Sequence, residues 1–110
     1  MVIVELPVYI RLDNIEYINP ERITLLRKVA STGSLFSAAK QISISYQKAW
    51  TLIDDMNKKA PKPLIVKKRG GSGGGGAEIT EYGKLILNEY EFIEQQVKDF
   101  TKKLNNEINF

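Results

Sequence analysis

Apolar residues between positions 31 and 56 recur at helical spacing, with one interruption at 42–45. This pattern predicts two short helices joined by a tight turn, each preceded by a serine, Ser34 or Ser45, that can cap its free N–H groups. The inward positions are Leu35, Ala39 and Ile42 in the first helix and Ala49, Ile53 and Met56 in the second. The opposite side of the second helix is polar, and such a helix fits the DNA major groove. We therefore predict a helix-turn-helix.

The N-terminal residues follow a different period. Positions 2–12 alternate between aliphatic and other side chains, which predicts a strand with one buried face. Pro7 lacks an N–H donor and therefore places this strand at a sheet edge. Positions 13–14, Asp-Asn, predict a turn. Positions 15–18 are ambiguous and are interpreted as a connector.

A further helix is predicted to begin after Asn19, because an N-cap residue is followed there by Pro20 and an acid. Gly33 ends it. Its inward positions are predicted to be Ile23, Leu26 and Ala30, widened by Leu25 and Val29. We expect this helix to support the next two and its basic residues to be solvated surface charges rather than phosphate contacts. These residues are Arg22, Arg27 and Lys28.

Two prolines, Pro61 and Pro63, end the second helix of the helix-turn-helix. Positions 64–69 and 77–79 then predict two strands, which the glycine tract at 70–76 joins. Such a pair directly after a helix-turn-helix forms a wing. The alternative is a flexible linker, but too little chain follows for a second core. A nucleotide-binding P-loop is excluded, because its G-x-x-x-x-G-K-[ST] pattern is absent.

The net charge of the 110-residue chain is only +3, so any basic surface depends on where the charges lie. They are concentrated around the wing, with no acid between positions 56 and 77. The basic residues there are Lys58, Lys59, Lys62, Lys67, Lys68 and Arg69. Neighbouring glycines allow the backbone to approach a phosphate closely. We therefore expect the wing to face DNA.

The last predicted helix begins after Thr80, a suitable N-cap, and ends near position 105, so that it is about 38 Å long at 1.5 Å per residue. Apolar residues recur along it with heptad spacing, as in a coiled coil. They are Ile86, Tyr90, Ile93, Val97, Phe100 and Leu104. A single small domain cannot bury such a length, which favours homodimerisation through this seam. The alternative is a long helix laid across its own domain.

Histidine and cysteine are both absent. Their absence removes thiol nucleophiles, disulfides, Cys/His zinc sites and histidine acid–base chemistry. The remaining acids, such as Asp54 and Asp55, have the placement of solvated charges, so we expect no enzyme. No apolar run approaches the roughly 20 residues of a membrane helix, and no signal peptide precedes the domain. We therefore expect a cytoplasmic protein with one core.

Four segments closely resemble the N-terminal domain of ModE-type molybdate-responsive transcriptional regulators. They are N-P-E-R-I-T-L-L at 19–26, S-Y-Q-K-A-W-T-L-I-D-D-M-N at 45–57, R-G-G-S-G-G-G-G-A-E-I-T at 69–80 and E-Y-G-K-L-I at 81–86. The glycine tract and the S-Y-x-x-A-W helix are its specific features, and the resemblance covers about positions 6–100. It implies a homodimeric winged helix that binds palindromic operator DNA and regulates molybdenum-related genes.

Full-length members of that family also carry C-terminal molybdate-binding domains, whereas this chain ends at Phe110. The resemblance therefore transfers no oxyanion ligand to any residue. We expect no cofactor or metal in this chain and no specific molybdate or tungstate binding by it alone. Such an effector would require a missing domain or a partner chain.

The residues predicted to contact DNA lie on the second helix of the helix-turn-helix and on the wing. They are Ser45, Tyr46, Gln47, Lys48, Thr51, Lys58, Lys67, Lys68, Arg69, Gly70, Gly71, Ser72 and Gly73. Gln47 can pair with adenine, Lys48 can reach guanine or phosphate, and Thr51 can offer its methyl group to thymine.

The sequence gives three aromatic residues near this helix more than one possible role, either packing or contact with a partner. Tyr46 borders the core and suits DNA contact and packing equally well. Trp50 flanks the apolar stripe, where an indole is more often packed than in contact with a base. Phe36 lies away from the inward face of its helix and could meet a partner subunit or the N-terminal strand.

The predicted fold class is therefore α+β, mainly α. A winged helix-turn-helix with an N-terminal strand and a two-stranded wing occupies 1–80, and a dimerisation helix packed on the same domain occupies 81–110. The predicted function is transcriptional regulation by a homodimer that binds specific sequences in duplex DNA. The alternative is a winged-helix adaptor that binds proteins. The basic, acid-free wing favours DNA, because an adaptor does not require it.

Overall fold

A computed structural model describes residues 2–68 and 76–110. In these ranges four helices and two antiparallel two-stranded sheets surround one apolar core. The elements are β1 (Ile10–Leu12), β2 (Ile15–Ile18), α1 (Pro20–Thr32), α2 (Leu35–Gln41), α3 (Tyr46–Lys59), β3 (Ile65–Lys67), β4 (Ala77–Ile79) and α4 (Glu81–Glu107). The predicted helix-turn-helix is thus α2–α3, and the predicted wing is β3–β4. No helix in the part of the chain that the structure describes is long and apolar enough to cross a membrane.

The N-terminal segment differs from the prediction. Only Ile10–Leu12 forms a strand, and its partner is Ile15–Ile18, which the sequence pattern does not identify as a strand. The two residues between them, Asp13 and Asn14, have φ angles of 50° and 64°, so the predicted turn is a tight hairpin turn with left-handed backbone. The prediction of one edge strand over 2–12 is therefore wrong for positions 2–9.

The residues before β1 lie along α4 and are bonded to its side chains. The Asn105 side chain accepts from the Val4 N–H at 2.7 Å and donates to the Val4 carbonyl at 3.2 Å. The Tyr90 hydroxyl donates to the Val8 carbonyl at 2.7 Å. Because these side chains satisfy backbone groups that a neighbouring strand would otherwise pair, the segment stays extended without belonging to a sheet.

The predicted helix boundaries depend on local caps, and the structure confirms them. The side chains of Asn19, Ser34, Ser45 and Thr80 each accept from a backbone N–H in the first turn of the helix that follows. Gly33 follows α1 with a φ of 67°, a left-handed conformation that glycine adopts without strain.

The buried faces of the helices meet in one core. Its largest members are Tyr90, Ile18, Ile23, Leu25, Leu26, Leu35, Ile53, Met56, Leu64, Ile65 and Val29. The predicted inward positions of α2 and α3 are buried, apart from the half-buried Ile42. In α1, Ala30 is exposed, so its prediction as an inward residue is wrong, and Leu25 and Val29 complete that face instead.

An ion-paired cluster fixes α3 against α1 and the N-terminal hairpin. The Asp55 carboxylate accepts from Arg22 Nη1 at 2.5 Å and from Lys59 Nζ at 2.6 Å. The same donor atoms also bond the hairpin: Arg22 reaches the Tyr17 carbonyl at 3.0 Å and Lys59 reaches that of Glu16 at 2.7 Å. Arg22 is therefore a structural ion-pair partner, which corrects its prediction as a solvated charge.

Two further connections hold the wing and α4 on the domain. The Asn57 side chain accepts from the Leu64 N–H at 2.8 Å and donates to the Ile65 carbonyl at 2.9 Å, which joins the end of α3 to the start of β3. Arg27 of α1 pairs with Glu91 at 3.4 Å and also with Glu94, both on α4. Arg27, like Arg22, is thus paired within the domain.

Gly83 marks the closest approach of α4 to the wing. A Cβ atom at this position would collide with the Leu64 carbonyl oxygen and lie 2.6 Å from the Ile79 side chain. We therefore expect Gly83→Ala to destabilise the fold by about 1–3 kcal/mol, because the backbone must shift to accept the methyl group. Urea unfolding followed by circular dichroism measures this destabilisation. Asn88→Ala, at an exposed α4 position, is the control, and equal stability of Gly83→Ala and wild type would contradict the packing described.

The ion-paired cluster around Asp55 makes the stability of the fold depend on pH. Burial alone would raise the pKa of Asp55, but hydrogen bonds from Lys59 and Arg22 outweigh burial and lower the pKa. A lowered folded-state pKa adds stability above the unfolded value of about 4, and this stability is lost as the pH falls through the folded pKa.

We therefore expect Asp55→Asn to be less stable than wild type at pH 7, with a difference that shrinks as the pH falls below about 4. Urea unfolding at pH 7 and at pH 3 tests this expectation. Asp54→Asn removes an exposed carboxylate from the preceding position and is the matched control. A difference that is the same at both pH values would contradict the role assigned to the carboxylate.

Candidate nucleic-acid interface

The outward side of α3 is a row of exposed polar side chains. Gln47, Thr51, Asp54 and Lys58 follow one another at helical spacing and are all exposed, whereas Ala49, Ile53 and Met56 on the other side are buried. The structure therefore places three of the predicted DNA contacts in one row, together with Asp54. The sequence analysis interprets Asp54 as a solvated charge, and the structure places its exposed side chain in this row.

The start of α3 is held by its N-cap. The Ser45 hydroxyl accepts from the Lys48 N–H at 3.0 Å, so this predicted contact residue already satisfies one of the free N–H groups of the helix. The Thr51 hydroxyl donates to the Gln47 carbonyl at 3.0 Å, so its oxygen can act only as an acceptor and its methyl group remains for apolar contact.

The predicted basic residues differ in how strongly they are already paired. Lys59 is engaged with Asp55 and is a structural residue. Lys48 Nζ lies 3.3 Å from Glu21, and Lys68 Nζ lies 3.8 Å from Glu78, both as exposed surface pairs of low strength. Lys58 is exposed on the last turn of α3.

The wing lies beside α3 and is tied to the start of α2. Lys67 on β3 pairs with Ala77 on β4, and the Ala77 N–H donates to the Gly33 carbonyl at 3.1 Å. Lys67 Nζ lies 4.6 Å from the centre of the Trp50 ring, a cation–π contact that joins the wing to α3. Five predicted contacts at the wing tip lie outside the described residues. They are Arg69, Gly70, Gly71, Ser72 and Gly73.

An aromatic row, formed by Phe36, Tyr46 and Trp50, lies between α2, α3 and the wing. The Phe36 and Tyr46 ring centres are 6.2 Å apart, and those of Tyr46 and Trp50 are 6.3 Å apart with nearly perpendicular planes. Trp50 is half-buried, in agreement with the prediction of packing. Phe36 packs beside Tyr46 in this row. The signal for it in the sequence is a large apolar residue on the polar side of α2.

The predicted dimerisation residues occupy different environments on α4. Tyr90 is only 1% exposed, and Ile86, Ile93, Val97 and Leu104 are half-buried. Phe100 is 56% exposed. A single copy of the domain therefore covers Tyr90 fully and four of the other five side chains in part. Dimerisation through α4 stays a prediction.

The described part of the α3 and wing surface presents several kinds of chemical group. They are the amide, hydroxyl, ammonium and carboxylate groups of the polar side chains and the aromatic rings beside them. No group of three or more acidic side chains converges within residues 2–68 and 76–110.

Comparison with known proteins identifies ModE regulators among the relatives of this chain, although no family model matches it. The ModE transcriptional regulator of Haemophilus influenzae is 36% identical over 91 residues, which are 83% of this chain and 36% of that protein. The molybdenum transport protein ModE of Azotobacter vinelandii is 39% identical over 88 residues, 80% of this chain and 33% of that protein. The DNA-binding transcriptional dual regulator ModE of Escherichia coli (strain K12) is 36% identical over 91 residues, 83% of this chain and 35% of that protein.

The chain spans about a third of the length of these curated relatives. A solved structure also matches its fold: the crystal structure of the CbnR_DBD–DNA complex aligns with a TM-score of 0.64 at 16% identity, over 81% of this chain and 97% of that chain. At this identity the likeness establishes the winged-helix fold of a DNA-binding domain. Both the predicted fold class and the predicted resemblance are confirmed. The chain is thus a homologue of the ModE transcriptional regulators over about four-fifths of its own length, with the fold of a winged-helix DNA-binding domain.

Proposed function

We propose that this chain is a transcriptional regulator that binds specific sites in duplex DNA, with α3 in the major groove and the wing on the neighbouring backbone. The observation that carries the proposal is the shared surface of α3 and the wing. There an exposed polar row adjoins the wing residues Lys67 and Lys68, in a winged-helix domain homologous to named regulators.

Each part of this surface suits a different part of DNA. Gln47 can bond adenine with two hydrogen bonds, Lys48 can reach guanine, and the Thr51 methyl group can meet thymine. Asp54 can accept from the amino group of cytosine. Lys58, Lys67 and Lys68 are suited to phosphates, because a flexible ammonium group neutralises charge without reading sequence.

The names of the relatives support a proposal about the regulated genes. Because the matched proteins are named as ModE regulators and as a molybdenum transport protein, we propose that the target genes serve molybdenum uptake and metabolism. The oxyanion-binding function of full-length family members has no ligand residues that can be assigned here, and we attribute no effector site to this chain.

The wing gives a direct test of DNA binding. We expect Lys67→Ala/Lys68→Ala to weaken binding to all duplex sequences and to reduce the slope of log affinity against log salt by about one unit for each phosphate that the wing no longer neutralises. Fluorescence anisotropy across a salt series measures both quantities. Lys102→Ala/Lys103→Ala removes two exposed lysines from the far end of α4 and is the charge-matched control. Unchanged affinity and slope in the wing variant would show that the wing does not contact DNA.

We further propose that the protein acts as a homodimer on a palindromic operator. Phe92 and Phe100 are 63% and 56% exposed on α4, and the half-buried Ile93 and Val97 lie between them in sequence. Burying these side chains against a second α4 would remove a large apolar surface from water. A two-fold dimer would then present its two α3 helices to major grooves roughly 34 Å apart, so that the second contact of each dimer is intramolecular.

Sedimentation analysis tests the dimer separately from DNA binding. We expect wild type to be dimeric at tens of micromolar and Phe92→Asp/Phe100→Asp to be monomeric, because the aspartates would place buried charges at the interface. Lys102→Asp, at an exposed site on the opposite side of α4 from Phe100, is the control and should stay dimeric. Circular dichroism confirms that each variant is folded. A monomeric wild type, or a dimeric double variant, would contradict this interface.

A further inference from the structure

The aromatic row is a continuous apolar surface that is exposed to solvent. Phe36 is 56% exposed and Tyr46 is 38% exposed, although Leu35 and Ala38 of α2 are fully buried. The neighbouring ring centres are 6.2 Å and 6.3 Å apart, so the three rings contact one another and do not lie singly on the surface. A contiguous exposed apolar patch of this kind is typical of a contact surface.

The position of the aromatic row restricts which kind of binding partner can cover it. Tyr46 and Trp50 directly precede Gln47 and Thr51 on α3, so the aromatic row runs beside the outward polar row. On its other side Lys67 Nζ lies over the Trp50 ring at 4.6 Å. Any partner that contacts both the polar row and Lys67 must therefore pass over the Trp50 ring, with Tyr46 and Phe36 next to it in the aromatic row.

The charges beside the aromatic row indicate which chemical groups that partner presents. Lys67 and Lys68 on the wing side attract an anionic surface, whereas the rings require apolar groups. Duplex DNA combines the two, because phosphates border the major groove and the C5-methyl group of thymine is the apolar group exposed within it.

We infer that the aromatic row binds thymine C5-methyl groups in the major groove, and that Phe36 is the residue that makes binding depend on them. This inference rests on the proposed function and adds apolar contacts by the aromatic row, at thymines other than the one proposed for the Thr51 methyl group. Phe36 is the informative position because it lies on α2, outside the helix that carries the polar contacts.

The test removes single methyl groups from DNA. A duplex selected by wild type from a random pool is compared with versions in which one thymine at a time is replaced by deoxyuridine, which lacks only the methyl group. For wild type we expect about a fourfold loss of affinity at each contacted thymine. We expect Phe36→Ala to bind the thymine duplex more weakly by a similar factor and to show no further weakening with deoxyuridine at those positions. Phe36→Leu should restore part of the preference.

The controls separate this inference from the proposed function. Phe110→Ala removes an exposed ring beyond the end of α4 and should keep the full methyl dependence. Thermal unfolding verifies that Phe36→Ala is folded. If wild type binds the selected duplex without methyl dependence, or if Phe36→Ala retains that dependence, the inference is wrong while the proposed function stands. If wild type selects no duplex at all, the proposed function fails and the inference fails with it.

Discussion

The position of α3 on the core determines where the N-terminal hairpin and the wing lie. Its apolar stripe alone would permit rotation or sliding against the core, because hydrophobic burial has no direction. The Asp55 carboxylate adds direction, since it accepts from one donor on α1 and one on α3 itself, and both donors also reach the N-terminal hairpin. The hairpin thereby stabilises the position of α3, the helix that carries the polar row.

Contacts with α3 also fix the position of the wing. Asn57, near the end of α3, bonds the backbone of Leu64 and Ile65, so β3 starts at a fixed place relative to the outward row. The contact of Lys67 with Trp50 holds the far side of β3 against the first half of α3. In the described residues β3 is therefore joined to α3 at two places, and a surface that is already assembled lowers the ordering cost of binding a partner such as duplex DNA.

The features that are predicted correctly from the sequence are those set by neighbouring residues. Asn19, Ser34, Ser45 and Thr80 cap helices through bonds that span three residues, so that their roles are visible in the local pattern. The wing strands are likewise marked by nearby prolines and glycines.

The features that cannot be predicted from the sequence depend on distant partners. Val4 is bonded to Asn105, 101 positions away, and alternation of side chains does not show whether a backbone will pair with a strand or with a helix side chain. The heptad spacing on α4 similarly does not distinguish a second chain from the core that buries Tyr90. Among the candidate DNA contacts, the helical pattern places Gln47, Thr51 and Lys58 on one face, but the position of Phe36 depends on how α2 crosses α3.

Binding of duplex DNA by the common surface of α3 and the wing can be mapped residue by residue. Amide chemical shifts of ¹⁵N-labelled protein, followed by NMR during titration with a selected duplex, locate the contact surface. We expect the largest shifts at positions 45–51 and 66–68, with the N-terminal hairpin at 10–18 little affected. Largest shifts in the hairpin or at the far end of α4, or no shifts at saturating DNA, would show that this surface does not bind duplex DNA.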